Sequence, residues 1–95
     1  MDKNVVLQEI KKVVENNGCY RFINNGEPYQ PREDGWALYL AVQPNNEDMK
    51  QLDFCISWNY RFSVTFNAQD NPKHFNNLNQ MLTAFEKWLQ NNQEN

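Results

Sequence analysis

Three segments in the middle of the chain alternate between large apolar residues and smaller or polar ones, and this pattern constrains the fold more than any other feature. The segments are 36–42, 52–58 and 61–66. Because successive side chains of a β-strand point to opposite faces, each segment predicts a strand with one apolar face. The residues predicted to face the core are Trp36, Leu38, Leu40, Val42, Leu52, Phe54, Ile56, Trp58, Phe62, Val64 and Phe66.

The segment 2–17 predicts an amphipathic helix. Its apolar residues fall within an arc of about 120° when successive residues are placed 100° apart. Asp2 is the expected N-cap, and Gly18 is expected in the left-handed conformation that ends many helices. The residues of the apolar arc are Val6, Leu7, Ile10, Val13 and Val14.

A second helix is predicted to open at Asn71-Pro72, with Asn71 as the cap and Pro72 in the first helical position. In this interpretation His74 lies in the first turn and is partly buried. The apolar stripe consists of Phe75, Leu78, Met81, Leu82, Phe85, Trp88 and Leu89.

The remaining segments predict connections and one weaker strand. Residues 19–23 are a short strand candidate, and 24–35, with two prolines, is interpreted as one long surface loop. Asn59-Tyr60 is the expected hairpin turn, although the tyrosine favours a longer one. Together these elements predict one α+β domain over 1–95. It has the order α-β-β-β-β-α, a four-stranded antiparallel sheet and two helices packed on one face.

Composition restricts the classes of partner. The chain has a formal net charge of −3 and a sequence pI of about 5.0, which disfavours nucleic acid because phosphate binding needs clustered Lys and Arg. No apolar run approaches a membrane span, so we expect no membrane association. The two cysteines, Cys19 and Cys55, are fewer than a secreted disulfide scaffold carries. With an amphipathic N-terminal segment in place of a signal peptide, they indicate a cytoplasmic protein.

No arrangement of residues in the sequence carries a recognisable chemistry. The single histidine and two cysteines are too few and too widely spaced for a zinc site. The three glycines form no phosphate-binding loop. We therefore expect a protein without catalytic residues, metal or cofactor.

The predicted outer side of the sheet is the most informative surface. Most of its residues are small, so another surface can approach closely and little side-chain entropy is lost on association. Tyr39 and Arg61 belong to the residue types that dominate protein interfaces. The residues expected on this side are Ala37, Tyr39, Ala41, Asp53, Cys55, Ser57, Arg61, Ser63 and Thr65.

The predicted loops offer a second candidate surface. Tyr29 and Arg32 lie on the 24–35 loop, followed by Glu33 and Asp34. A second loop carries the adjacent acids Glu47 and Asp48. Together they predict an acidic rim with an aromatic anchor, and such rims speed the encounter with basic partners.

These features favour a small non-enzymatic protein-binding module, of which an inhibitor or immunity-type protein is the sharpest form. Its partner would be another protein, a basic one if the acidic rim is used. The alternative is a homo-oligomeric structural protein that buries the small-residue sheet face in a dimer. A single-stranded nucleic-acid binder with aromatics on the sheet is a weaker alternative.

Overall fold

The computed structural model describes residues 2–29, 35–45, 50–67 and 71–93, with the backbone alone for 24–29 and 93. Within these ranges two helices flank five strands, which confirms the α+β class with one strand more than predicted. Neither described helix has the length and apolar character needed to cross a lipid bilayer. The elements are α1 (Lys3–Asn17), β1 (Tyr20–Tyr29), β2 (Trp36–Pro44), β3 (Leu52–Trp58), β4 (Phe62–Phe66), β5 (Lys73–Phe75) and α2 (Leu78–Gln93).

The five strands form an antiparallel meander in the order β1-β2-β3-β4-β5, so each strand pairs with its neighbours in sequence. The register between β2 and β3 pairs Trp36 with Trp58 and continues without interruption to Val42 and Leu52. An uninterrupted register preserves the period-two alternation across the central strands. The apolar residues predicted to face the core therefore all lie on one face.

Both helices cover that apolar face. From α1, Val6, Ile10 and Val14 are buried in the same hydrophobic cluster as the inward residues of β2, β3 and β4. From α2, Phe85 stacks against the sheet, with its ring centroid 4.8 Å from that of Phe54. The outcome is a two-layer domain whose core lies between the helices and the sheet.

The ends of α1 agree with the sequence. Asp2 accepts a 2.7 Å hydrogen bond from the backbone N–H of Asn4, which satisfies one of the free donors of the first turn. Gly18 has φ 77° and donates its N–H to the carbonyl of Val14. Its left-handed conformation is open to glycine without a steric penalty.

The prediction of one long loop over 24–35 is wrong, because β1 continues to Tyr29. The pairing with β2 shifts register twice, between Phe22 and Asn24 and between Asn25 and Glu27. Each shift breaks the alternation by which a strand is recognised in a sequence. Pro28 is tolerated because β1 lies at the edge of the sheet, where one side of the strand needs no ladder partner.

The predicted start of the second helix is also wrong. Residues 73–75 form β5, and α2 begins at Leu78. Asn77 acts as the N-cap instead of Asn71, because its Oδ1 accepts a 2.9 Å hydrogen bond from the N–H of Gln80. His74 is consequently not a core residue of a helix but an exposed residue of an edge strand.

The connections at the other end of the sheet are tight. The hairpin between β3 and β4 has three residues, and Tyr60 takes a positive φ of 64°. Arg61 therefore belongs to the turn and does not begin β4. Gly35 precedes β2 at a position where any Cβ would collide with the backbone carbonyl oxygen of Trp58.

Candidate functional site

The face of the sheet opposite the helices is left uncovered by every helix and strand that the structure describes. We call this surface the outer face. Strand alternation and the β1–β2 pairing assign twelve side chains to it. They are Arg21, Ile23, Ala37, Tyr39, Ala41, Gln43, Asp53, Cys55, Ser57, Ser63, Thr65 and His74.

Cross-strand pairing arranges these side chains in rows. One row runs from Tyr39 through Cys55 to Thr65. A parallel row starts at Ala37 and passes through Ser57 and Ser63 to His74. Directly opposed residues of an antiparallel pair have Cβ atoms about 5 Å apart, so the members of a row contact one another. Small side chains therefore form a continuous band beside one tyrosine.

A hollow of about 600 Å³ crosses the outer face from β1 to β4. Ile23 and Tyr39 form its walls and keep 49% and 48% of their surface exposed. Ala41, predicted to be exposed, is instead only 4% exposed and lies on the floor. Further lining comes from Gln51, Asp53, Cys55, Thr65 and Asn67.

The thiol of Cys55 forms part of this floor. Burial raises its pKa, and a hydrogen bond with the side chain of Tyr39 partly offsets that increase. A raised pKa favours the neutral thiol, whereas the thiolate is the nucleophilic form. Cys55 thus behaves as a small apolar group of the hollow.

Among the described residues that line the hollow, Asp53 is the one with a charged side chain. Its Oδ1 accepts a 2.8 Å hydrogen bond from Nε2 of Gln51, and its backbone carbonyl accepts another from the N–H of Asn67. Among the residues described, the one ion pair joins Lys12 and Glu9 on α1, so no cation there pairs with Asp53. The hollow therefore combines apolar walls with an exposed negative charge.

At the β5 end of the outer face, the side chains of Ser63 and His74 meet at 2.8 Å between Oγ and Nδ1. Nucleophilic hydroxyl chemistry also needs a group that orients the imidazole. In the described ranges, no other side chain hydrogen-bonds to this ring. No cluster of three His, Cys, Asp or Glu residues suited to a metal ion occurs in those ranges either. The pair therefore acts as a cross-strand contact.

The structure separates the residues predicted as a site. Tyr39 lines the hollow, whereas Arg61 is exposed in the β3–β4 turn. Tyr29 pairs with Ala37 as the last residue of β1 and does not belong to a loop. The other predicted residues lie outside the described ranges, so the acidic rim stays a prediction. They are Arg32, Glu33, Asp34, Glu47 and Asp48.

Among the described residues that line the hollow, only Tyr39 belonged to the predicted site, and Asp53 and Ile23 are the omissions that matter most for binding. Asp53 was predicted to face outward. That it forms no ion pair with a described cation follows from the three-dimensional packing and could not be predicted from the sequence. Ile23 faces outward by the same alternation that turns Phe22 to the core and Arg21 away from it, but the predicted outer face was taken from the three central strands alone. Tyr60, 81% exposed at the tip of the turn, was interpreted only as a turn residue.

Comparison of the chain with protein-family models, with curated proteins and with solved structures found no match.

Proposed function

We propose that this protein is a small non-enzymatic binding module that covers the working surface of another protein with its outer face. An inhibitor or an immunity-type protein acts in this way. The observation that supports the proposal is the outer face, which no described helix or strand covers, with a hollow walled by the half-exposed Ile23 and Tyr39. Exposed apolar surface grouped around a concavity is typical of interaction sites.

The make-up of the outer face suits rigid docking. Tyr39 offers a large contact area with few rotatable bonds, and the neighbouring Ala, Ser and Thr side chains have little entropy to lose. Arg21 is held by a 3.2 Å hydrogen bond to Gln43, which limits its freedom at one end of the face. A partner would therefore meet a surface that is already ordered.

The edges of the sheet are less suited to association than its face. The free side of β1 belongs to a strand with two register shifts, and such irregularities hinder the addition of a further strand. At the other edge, β5 has three residues and follows Pro72, so it offers a very short ladder. Side-chain contacts across the face are consequently the favoured mode of binding.

A homodimer through the outer face is the alternative, and the near-neutral, small-residue composition of the face favours it. The strands have 10, 9, 7, 5 and 3 residues, and with about 3.3 Å per residue and about 4.8 Å between strands they give a planar face of roughly 540 Å². Standard interfaces bury about 800 Å² on each partner. The planar face is smaller than that, so a second copy or a different protein would also need to contact the exposed turn at Tyr60 and Arg61.

The test compares three baits in affinity capture from the native host: the unchanged protein, Ile23→Ser and Val5→Ser. Val5 on α1 is a matched control, because it is also β-branched and its exposed fraction equals that of Ile23. We expect one stoichiometric protein to be retained by the unchanged bait and by Val5→Ser but lost from Ile23→Ser. With the purified partner, Ile23→Ser should weaken binding about tenfold, since a central apolar contact contributes more than about 1 kcal/mol.

Two outcomes would contradict the proposal. Equal retention of the partner by all three baits would place the interface elsewhere on the molecule. A dimer in light scattering at micromolar concentration, dissociated by Ile23→Ser while no other protein is captured, would establish the homodimer instead.

A further inference from the structure

We infer that the hollow of the outer face receives an arginine side chain of the partner protein. This inference rests on the proposed function and specifies the chemistry that the partner presents. It follows from the charge, the walls and the size of the hollow.

The charge comes from Asp53. Gln51 donates to its Oδ1 at 2.8 Å and so fixes the orientation of the carboxylate. Its Oδ2 accepts no hydrogen bond from any side chain in the described ranges, and the carboxylate forms no ion pair there. A guanidinium group is complementary, because it forms strong charge-assisted hydrogen bonds with a carboxylate and lacks any acceptor that would compete.

The walls match the rest of an arginine side chain. Ile23, 49% exposed, offers apolar surface to the methylene stem, which arginine commonly buries while its charged end stays polar. Tyr39 lines the same hollow and keeps 48% of its surface exposed. A guanidinium stacks favourably on an aromatic ring, whereas lysine lacks the planar group for that contact.

Size and net charge are consistent with this occupant. The hollow of about 600 Å³ is within the range of sites that take small organic groups. The chain carries a formal net charge of −3, which attracts a basic partner surface before contact is made. A neutral or acidic side chain would leave Asp53 desolvated and without a counter-charge.

The test is a titration of the isotope-labelled protein with N-acetyl-arginine amide, followed by amide chemical shifts in NMR. The matched probe is N-acetyl-citrulline amide, which has nearly the same shape without the charge. We expect saturable shifts at Tyr39, Asp53, Cys55 and Thr65 with a Kd of about 1–10 mM, typical of a single side chain. Citrulline should bind at least about tenfold more weakly, because it loses the charge-assisted bond.

Three variants test whether the arginine probe binds at Asp53. Asp53→Asn should weaken arginine binding about tenfold, and Glu86→Gln, which removes an exposed carboxylate from α2, should leave it unchanged. Thr65→Arg should abolish probe binding, because the guanidinium introduced by the substitution can occupy the hollow beside Asp53. Equal shifts with citrulline, an unchanged affinity in Asp53→Asn, or the absence of saturation at about 50 mM would overturn the inference.

Failure of this inference can be told from failure of the proposed function. A captured partner that is lost from Ile23→Ser but keeps its affinity for Asp53→Asn supports the binding module and rejects arginine. Arginine binding with no captured partner supports the hollow as a cation site and rejects the module.

Discussion

The hydroxyl of Tyr20 donates a 2.9 Å hydrogen bond to the backbone carbonyl of Leu89, 69 residues further along the chain. This buried contact joins the start of β1 to the last turns of α2. It also places an ionisable group against the core, where burial raises the pKa of Tyr20 and the adjacent Cys19 raises it further.

We expect Tyr20→Phe to lower the free energy of unfolding by about 1 kcal/mol at pH 7, the usual contribution of a buried hydrogen bond. The pKa of Tyr20 is higher in the folded than in the unfolded chain, so its contribution is complete below pH 10 and declines above it. The difference between the two proteins should therefore shrink at alkaline pH. Urea unfolding at pH 7 and about pH 10.5 measures it, and a difference that stays constant would contradict this account.

Gly35→Ala should destabilise the fold by about 1–3 kcal/mol, because the new Cβ would overlap the carbonyl oxygen of Trp58 and force the β2–β3 end apart. Gly18 provides the comparison, since a Cβ there meets no atom within 4 Å but its φ is 77°. Gly18→Asn should be well tolerated because asparagine adopts this conformation readily. Thermal denaturation of both variants measures the effect, and equal melting temperatures would show that the close approach is unimportant.

Asn77→Ala should lower the free energy of unfolding by about 1 kcal/mol, because the N–H of Gln80 loses its cap. Asn71→Ala is the control, since Asn71 precedes β5 and caps no helix. Chemical denaturation of Asn77→Ala and Asn71→Ala compares their free energies of unfolding and so tests which asparagine caps α2. A larger loss at Asn71 would support the helix start predicted from the Asn-Pro pair.

Cys55 should react with iodoacetamide at least about tenfold more slowly than the exposed Cys19 at pH 8, because burial shields its sulfur and raises its pKa. Tyr39→Phe removes the hydrogen bond that lowers this pKa, so the rate profile of Cys55 should move to higher pH. The single-thiol variant Cys19→Ser isolates the reaction. Equal rates for the two thiols would show that the floor of the hollow is open to reagents.

The three central strands, the apolar stripe of α1 and that of α2 from Leu78 onward could be predicted from the sequence because their signals are local, whereas Phe75 belongs to β5. The alternation of β3, from Leu52 to Trp58, is uninterrupted, and its strand has the predicted bounds. Gly18 ended α1 as expected because its conformational freedom is a property of the residue itself.

The edges could not be predicted, because edge strands depend on the pairing of distant segments. In β1, two register shifts and a proline hide a strand of ten residues. In β5, three residues are too few to show any period, and Asn71-Pro72 imitated a helix start. These errors affected the candidate site. Ile23 was left out of the predicted outer face because β1 was not used to define it, and His74 was assigned to the core.

The contact between α1 and α2 has a consequence for how the protein forms during synthesis. A meander can grow as the nascent chain leaves the ribosome, because every strand pairs with the one just made. The apolar stripe of α1, made first, gains its helical neighbour only after α2 has been translated. Until then part of the core is exposed to water and open to chaperones. Chains stalled before α2 should therefore be the species most prone to aggregate.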